Sequence, residues 1–110
     1  MSDLKALLWL GIEDYSGLWE AVWQLKSLHP NALERELAVR ARSILIDLLK
    51  SDLVALYHCQ EPYGALAAID AELAVGLLTD ERAWEAPEAN AVSIRYSATP
   101  SGEDLYASLD

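Results

Sequence analysis

The sequence is poor in the residues that build covalent, metal-bound and redox-active sites. It contains one cysteine and two histidines among 110 residues. A single cysteine excludes an intrachain disulfide, and the usual cysteine-rich zinc sites are excluded with it. We therefore expect a cytoplasmic protein from a reducing compartment that holds no metal and no cofactor.

Cations are scarce as well. Eight lysines and arginines face 18 aspartates and glutamates, which gives a formal net charge of −10. Such a chain repels phosphate backbones, so nucleic acid is the less favoured partner, and a protein partner or a second copy of the chain is favoured. The charge is uneven, because residues 31–50 hold four of the eight cations and residues 51–110 hold 11 of the 18 acids.

Long apolar runs are missing too. The uncharged apolar stretch near the N-terminus, residues 6–12, is followed by Glu13 and Asp14, whereas a spanning helix needs about 20 residues. It also lacks the basic start and cleavage pattern of a signal peptide, so we predict no membrane attachment. The chain is 53% apolar, and its size and composition predict one domain over residues 1–110.

Catalytic motifs are absent. The sequence contains no glycine-rich phosphate loop, nucleophile elbow or His-Glu-x-x-His motif. His58 and Cys59 are neighbours in a predicted strand, where successive side chains point to opposite faces and cannot act as a pair. A catalytic carboxylate pair needs one desolvated member, but the acids of residues 60–91 lie among turn residues. We predict that the protein is not an enzyme.

The clearest element is an amphipathic helix over residues 31–50. Asn31 is predicted to cap it, in a capping box with Glu34. Its apolar stripe comprises Leu33, Leu37, Ala41, Ile44, Leu45 and Leu48. The opposite side mixes cations with apolar residues and is the candidate interaction face, formed by Arg35, Val39, Arg42, Ser43, Ile46 and Lys50.

Two further helices precede this one, over residues 3–10 and 15–28. In the second, Trp19 and Trp23 lie four residues apart; they either close the edge of the core or form a partner-binding aromatic pair. After residue 50, β-branched and aromatic residues predict strands over residues 53–59 and 92–98 that pair antiparallel. In the second strand Ser93, Arg95 and Ser97 alternate with apolar residues, which predicts a solvated face.

Residues 60–91 form an insert between the two strands that is too long for a simple loop. We predict a helix over residues 71–78 capped by Asp70, and a turn at residues 80–84. The insert carries seven acids and one cation, Arg82. Its candidate acidic partner surface is Glu61, Asp80, Glu81, Glu85 and Glu88. Thr99 and Pro100 then predict the start of a final short helix.

Two segments, ARSILIDLLKSDLVALYHC (residues 41–59) and VSIRYSATPSGEDLY (residues 92–106), resemble the third helix, wing strands and following helix of bacterial winged-helix domains. The resemblance covers about residues 15–107 and extends to short bacterial proteins of this plan that have no established activity. It implies a mainly α, α+β fold. Three helices form the core, a two-stranded antiparallel hairpin carries the helical insert, and a short C-terminal helix follows.

Three functions are compatible with these features. The leading hypothesis is a non-enzymatic protein-interaction module, with a homodimer as one form. The first alternative is a DNA-binding transcriptional regulator that uses Arg35, Arg42 and Lys50, because the third helix of DNA-binding winged helices enters the major groove. The second is an inhibitor or immunity-type protein whose acidic insert binds a basic partner.

Overall fold

The computed structural model describes residues 2–62 and 64–109, which form a compact α+β fold. The elements in chain order are α1 (Asp3–Glu13), β1 (Ser16–Gly17), α2 (Leu18–Leu28), α3 (Glu34–Lys50), β2 (Val54–Gln60), β3 (Leu66–Ala68), α4 (Ala71–Leu78), a 3-10 helix (Glu81–Trp84), β4 (Val92–Ala98) and α5 (Pro100–Ser108).

The sheet has four strands in the order β1-β4-β2-β3, and all neighbours are antiparallel. The predicted pairing of two long strands is confirmed, since β2 and β4 are in register from Val54↔Ala98 to Gln60↔Val92. The prediction that the sheet has only two strands is wrong. The additional strands contain two and three residues, which is too short to show a periodic pattern.

The main core lies between the helices and one face of the sheet. Val54, Leu56 and Tyr96 are at most 1% exposed on this face. The hydroxyl of Tyr96 donates a hydrogen bond to the Leu7 carbonyl of α1, 2.7 Å away, and burial raises the pKa of this phenol far above its usual value. A buried phenol thus ties α1 to the central strand β4.

Most of the predicted α3 stripe is confirmed. Its buried members are Leu37, Ala41, Leu45 and Leu48, and Ile44 packs partly buried against the same core. Leu33, in contrast, is 51% exposed, because the helix begins only at Glu34.

The predicted cap of α3 is therefore wrong. Leu33 is the N-cap and makes no side-chain capping bond. Asn31 lies instead in a turn, where the Ala32 N–H donates to the His29 carbonyl, 3.0 Å away. The start of α2 also differs from the prediction. Ser16 and Gly17 pair with β4, so the helix begins only at Leu18.

The helical parts of the insert were predicted correctly. The helix at residues 71–78 and the turn around residues 81–84 are present, although the Asp70 side chain makes no capping bond. Ala74 and Leu78 of α4 are fully buried members of the main core, and α4 packs against α3. The insert is thus part of the domain rather than an appendage on a hairpin.

Two helical glycines, Gly102 in α5 and Gly76 in α4, differ in the space around them. A Cβ added at Gly102 would overlap the backbone carbonyl oxygen of Leu53, whereas one added at Gly76 would meet no atom within 4 Å. Alanine stabilises a helix over glycine by about 0.5–1 kcal/mol, so Gly76→Ala should be stabilising. Gly102→Ala should lower the free energy of unfolding by about 2 kcal/mol. Urea unfolding at pH 7 measures the free energy of unfolding of both variants. If the two substitutions change it equally, α5 does not pack closely against Leu53.

Candidate interaction surface

The predicted interaction face of α3 is only partly accessible. Arg35, Val39, Ser43 and Lys50 are exposed, and the Val39 side chain is 60% exposed. Ile46 instead packs half-buried against the main core. The expectation of an exposed pair of Val39 and Ile46 is therefore wrong for Ile46.

Arg42 is also half-buried, because the insert lies beside this part of α3. Its Nε atom is buried and has no hydrogen-bond partner among the described residues. Arg42 lines a shallow groove of about 290 Å³ whose other walls are Arg35, Ala38, Val39, Glu81 and Trp84. The 3-10 helix thus forms one wall of the groove and α3 the other.

The position of the 3-10 helix is fixed by Trp84. The indole N–H of this residue donates to the Leu78 carbonyl at the end of α4, 2.9 Å away, and the side chain is 9% exposed. The helix is capped by Asp80, whose carboxylate accepts a hydrogen bond from the Arg82 backbone N–H at 3.0 Å. A buried aromatic ring therefore holds the end of the insert against α2 and α3.

A second depression, which we call the tryptophan pocket, adjoins this groove. It encloses about 310 Å³ and is lined by Trp19, Val22, Trp23, Glu34, Ala38, Trp84, Glu85 and Ala86. Trp19 is 8% exposed and closes the edge of the fold as predicted, whereas Trp23 is 57% exposed. For Trp23 the core-edge interpretation is wrong. The contribution of Trp84 was missed, since nothing in the sequence places residue 84 beside residue 19.

The predicted acidic surface is smaller than expected. Glu81, Glu85 and Glu88 are exposed, as predicted. Asp80 is half-buried and forms an ion pair with Arg82 at 3.3 Å, and hydrogen bonds from Arg82 hold the pKa of its carboxyl below the usual value.

The prediction of a solvated Glu61 is wrong, because this residue is 9% exposed. Its Oε1 accepts hydrogen bonds from the Ser93 hydroxyl at 2.6 Å and from Nη2 of Arg95 at 2.9 Å. The hydrogen bond from Ser93, together with the Arg95 charge, holds the pKa of Glu61 below its usual range despite burial. Glu61 is therefore a structural carboxylate.

Arg95 links the Glu61 carboxylate to Tyr15 and to helix α2. One guanidinium nitrogen donates to the Tyr15 carbonyl at 2.8 Å and to the Glu20 carboxylate at 3.4 Å. The guanidinium carbon lies 5.1 Å from the centroid of a Trp19 ring, the geometry of a cation–π contact. The expected solvated face of β4 is thus wrong at Ser93 and Arg95, which are 6% and 8% exposed.

The histidine and cysteine side chains lie in three different environments. Cys59 is buried and His58 exposed, as expected for successive residues of a strand. His29 contacts the Asp3 carboxylate at 2.7 Å, and Arg40 contacts the same carboxylate at 3.1 Å. Within residues 2–62 and 64–109, no group of three or more histidine, cysteine or acidic side chains is placed to hold a metal ion.

No family model matches the chain, and neither a curated protein nor a solved structure is significantly similar to it. None of the helices in the described part of the chain is long and apolar enough to span a membrane.

Glu61→Gln should lower the free energy of unfolding at pH 7 by about 2–3 kcal/mol, because it removes the charge that compensates the buried Arg95. The native-state pKa of Glu61 is lowered, so this stabilisation is present above the unfolded-state pKa of about 4.3 and is lost as the pH falls through the lower native-state value. The difference between wild type and variant should therefore shrink at acid pH.

Urea unfolding between pH 7 and pH 3 measures this dependence. Glu88→Gln is the matched control, since Glu88 is exposed, and it should change the stability by less than about 0.5 kcal/mol. If Glu61→Gln is as stable as wild type at pH 7, the ion pair does not stabilise the fold.

Proposed function

We propose that the protein is a non-enzymatic protein-interaction module of winged-helix plan, which binds its partner through the first half of α3 and the adjoining tryptophan pocket. The observation that carries this proposal is the clustering of large exposed apolar side chains. Trp23 and Val39 are 57% and 60% exposed, and they line two adjoining depressions that share Ala38 and Trp84. Grouped exposed apolar residues beside concave surface are typical of interaction sites.

The order of the elements supports the winged-helix plan. Three helices are followed by the antiparallel strands β2 and β4 and by a helix that starts at Thr99 and Pro100. The Thr99 hydroxyl caps this helix by accepting from the Gly102 N–H at 3.1 Å. This is the arrangement that the sequence resemblance implies, with an insert that winged-helix proteins of this plan do not require.

The insert favours protein over DNA as the partner. Glu81 and Trp84 line a groove together with Arg35, Val39 and Arg42, so the insert occupies space next to the helix face that would have to enter a major groove. Glu81 also places a carboxylate beside these cations, which opposes contact with phosphates. A transcriptional regulator is therefore the weaker proposal.

The inhibitor hypothesis loses part of its support. Of its five carboxylates, Glu61 is buried and Asp80 is paired with Arg82. Glu81 and Glu85 border the proposed surface itself. Their charges are therefore better understood as part of the α3 surface than as a separate acidic patch.

Val39→Glu should abolish capture of the partner, because it replaces the exposed apolar side chain of α3 within the proposed surface by a charge. Val92→Glu is the matched control, since Val92 is also 60% exposed but lies on β4. Wild type and both variants, each checked for folding by circular dichroism, serve as baits in lysate of the source organism. Proteins captured by wild type and Val92→Glu but not by Val39→Glu support the proposal. Identical captures with both variants contradict it.

Self-association is the form of the proposal in which the partner is a second copy. Glu36 and Arg42 lie three residues on either side of Val39 on α3. If the α3 helices of two copies cross antiparallel at Val39, Glu36 of each copy faces Arg42 of the other. Two equivalent ion pairs, related by the two-fold axis, then form across the dimer interface.

A charge swap tests this arrangement. Glu36→Arg and Arg42→Glu should each raise the dimer dissociation constant about tenfold by opposing like charges, and the double variant should restore it. Sedimentation equilibrium measures the constant. A wild-type protein that remains monomeric at high concentration, or a double variant that is no better than the single ones, excludes this dimer and leaves a different partner for the surface.

A further inference from the structure

The tryptophan pocket has a composition that points to one class of ligand. It gathers three of the four tryptophans of the chain, Trp19, Trp23 and Trp84, with two carboxylates, Glu34 and Glu85. None of its lining residues is a cation. Aromatic faces carry negative electrostatic potential, so rings and carboxylates together attract positive charge.

Two of the three rings are held in place before any ligand binds. The indole N–H of Trp84 is hydrogen-bonded to the Leu78 carbonyl, and Trp19 is buried against the Arg95 guanidinium. Trp23 is the accessible wall, with 57% of its surface exposed. A preformed pocket of this kind binds with little loss of side-chain freedom.

The carboxylates are available to a ligand. Glu34 lies in the first turn of α3, and Glu85 follows the 3-10 helix. Both are exposed, and neither forms an ion pair within residues 2–62 and 64–109. The pKa of nearby Arg82 is raised first by its hydrogen bond to Asp80 and only last by the charge of Glu85. Both carboxylates of the pocket are therefore free of ion pairs to the lysines and arginines that the structure describes.

We propose that the tryptophan pocket binds the cationic end of a lysine or arginine side chain of the protein partner. The alkylammonium or guanidinium group would lie against the tryptophan rings and between the carboxylates of Glu34 and Glu85, while its aliphatic stem contacts Val22 and Ala38. This inference rests on the proposed function for the source of the cation, but the binding of the cation itself can be measured separately.

Small probes measure the pocket directly. The indole N–H signals in ¹⁵N-labelled protein are followed by NMR during titration with N-acetyl-lysine methylamide and N-acetyl-arginine methylamide. The analogues N-acetyl-norleucine methylamide and N-acetyl-citrulline methylamide keep the shape but lack the charge. We expect saturable shifts of the Trp19, Trp23 and Trp84 signals, with the charged probes binding in the millimolar range and about tenfold more tightly than the neutral ones.

Substitutions separate the contributions of ring and charge. Trp23→Leu keeps an apolar wall but removes the π system, and Trp23→Phe restores it. The double variant Glu34→Gln/Glu85→Gln keeps size and removes both charges. We expect the affinity to fall about tenfold in Trp23→Leu and in the double glutamine variant, and to stay within about threefold of wild type in Trp23→Phe.

Two controls lie outside the pocket. Trp9→Leu removes a tryptophan that is 37% exposed on α1, and Glu88→Gln removes an exposed carboxylate of the insert; both should bind like wild type. Equal affinity for charged and neutral probes, or shifts that do not saturate, would overturn the inference. So would a double glutamine variant that binds like wild type.

The outcome is independent of the capture experiment. If Val39→Glu loses the partner while the pocket binds no cation, the surface proposal stands and this inference fails. If the pocket binds cations but Val39→Glu and Val92→Glu capture the same proteins, the cation site stands and the wider surface on α3 does not.

Discussion

The face of the sheet opposite the main core depends on the hydrogen bonds that surround the buried guanidinium of Arg95. Taking a cation out of water costs several kcal/mol, so it must be surrounded by acceptors. Those acceptors come from the chain before α2, from α2 itself and from the start of the insert, namely Tyr15, Glu20 and Glu61. Two segments far apart in sequence, around α2 and at the start of the insert, therefore meet at β4. Because Trp19 stacks on the same cation, the network also fixes one wall of the tryptophan pocket.

The position of the insert determines which part of α3 is accessible. α4 contributes Ala74 and Leu78 to the core and packs against α3, and Trp84 anchors the 3-10 helix beside Arg42. The residues around Val39 remain open, whereas Ile46 is half-covered. The segment between β2 and β4 thus leaves only the part of α3 around Val39 accessible and lines it with the aromatic and acidic side chains of Trp84 and Glu81.

The features predicted correctly from the sequence are those with a local cause. The stripe of Leu37, Ala41, Leu45 and Leu48, the extended conformation of β2 and β4 and the capping of α5 by Thr99 follow from periodicity and capping within a few residues. The wrong predictions concern burial set by distant partners. Glu61 lies in a segment rich in turn residues, which predicts a solvated side chain, but its ion-pair partner Arg95 lies 34 positions away in the sequence. Trp84 meets Trp19 only because the insert folds back onto α2.

The way in which the insert is joined to the sheet has a consequence for how such a chain can evolve. The two ends of the insert meet where the Glu61 N–H donates to the Ala91 carbonyl at 2.8 Å. Because the ends are adjacent, the backbone alone would allow the whole segment to be inserted or deleted. Its side chains oppose this, because excision would empty the sites of Ala74 and Leu78 and leave Arg95 without Glu61. Recombination at this junction would therefore yield a folded protein only if the strand and helix residues that contact the insert were exchanged together with it.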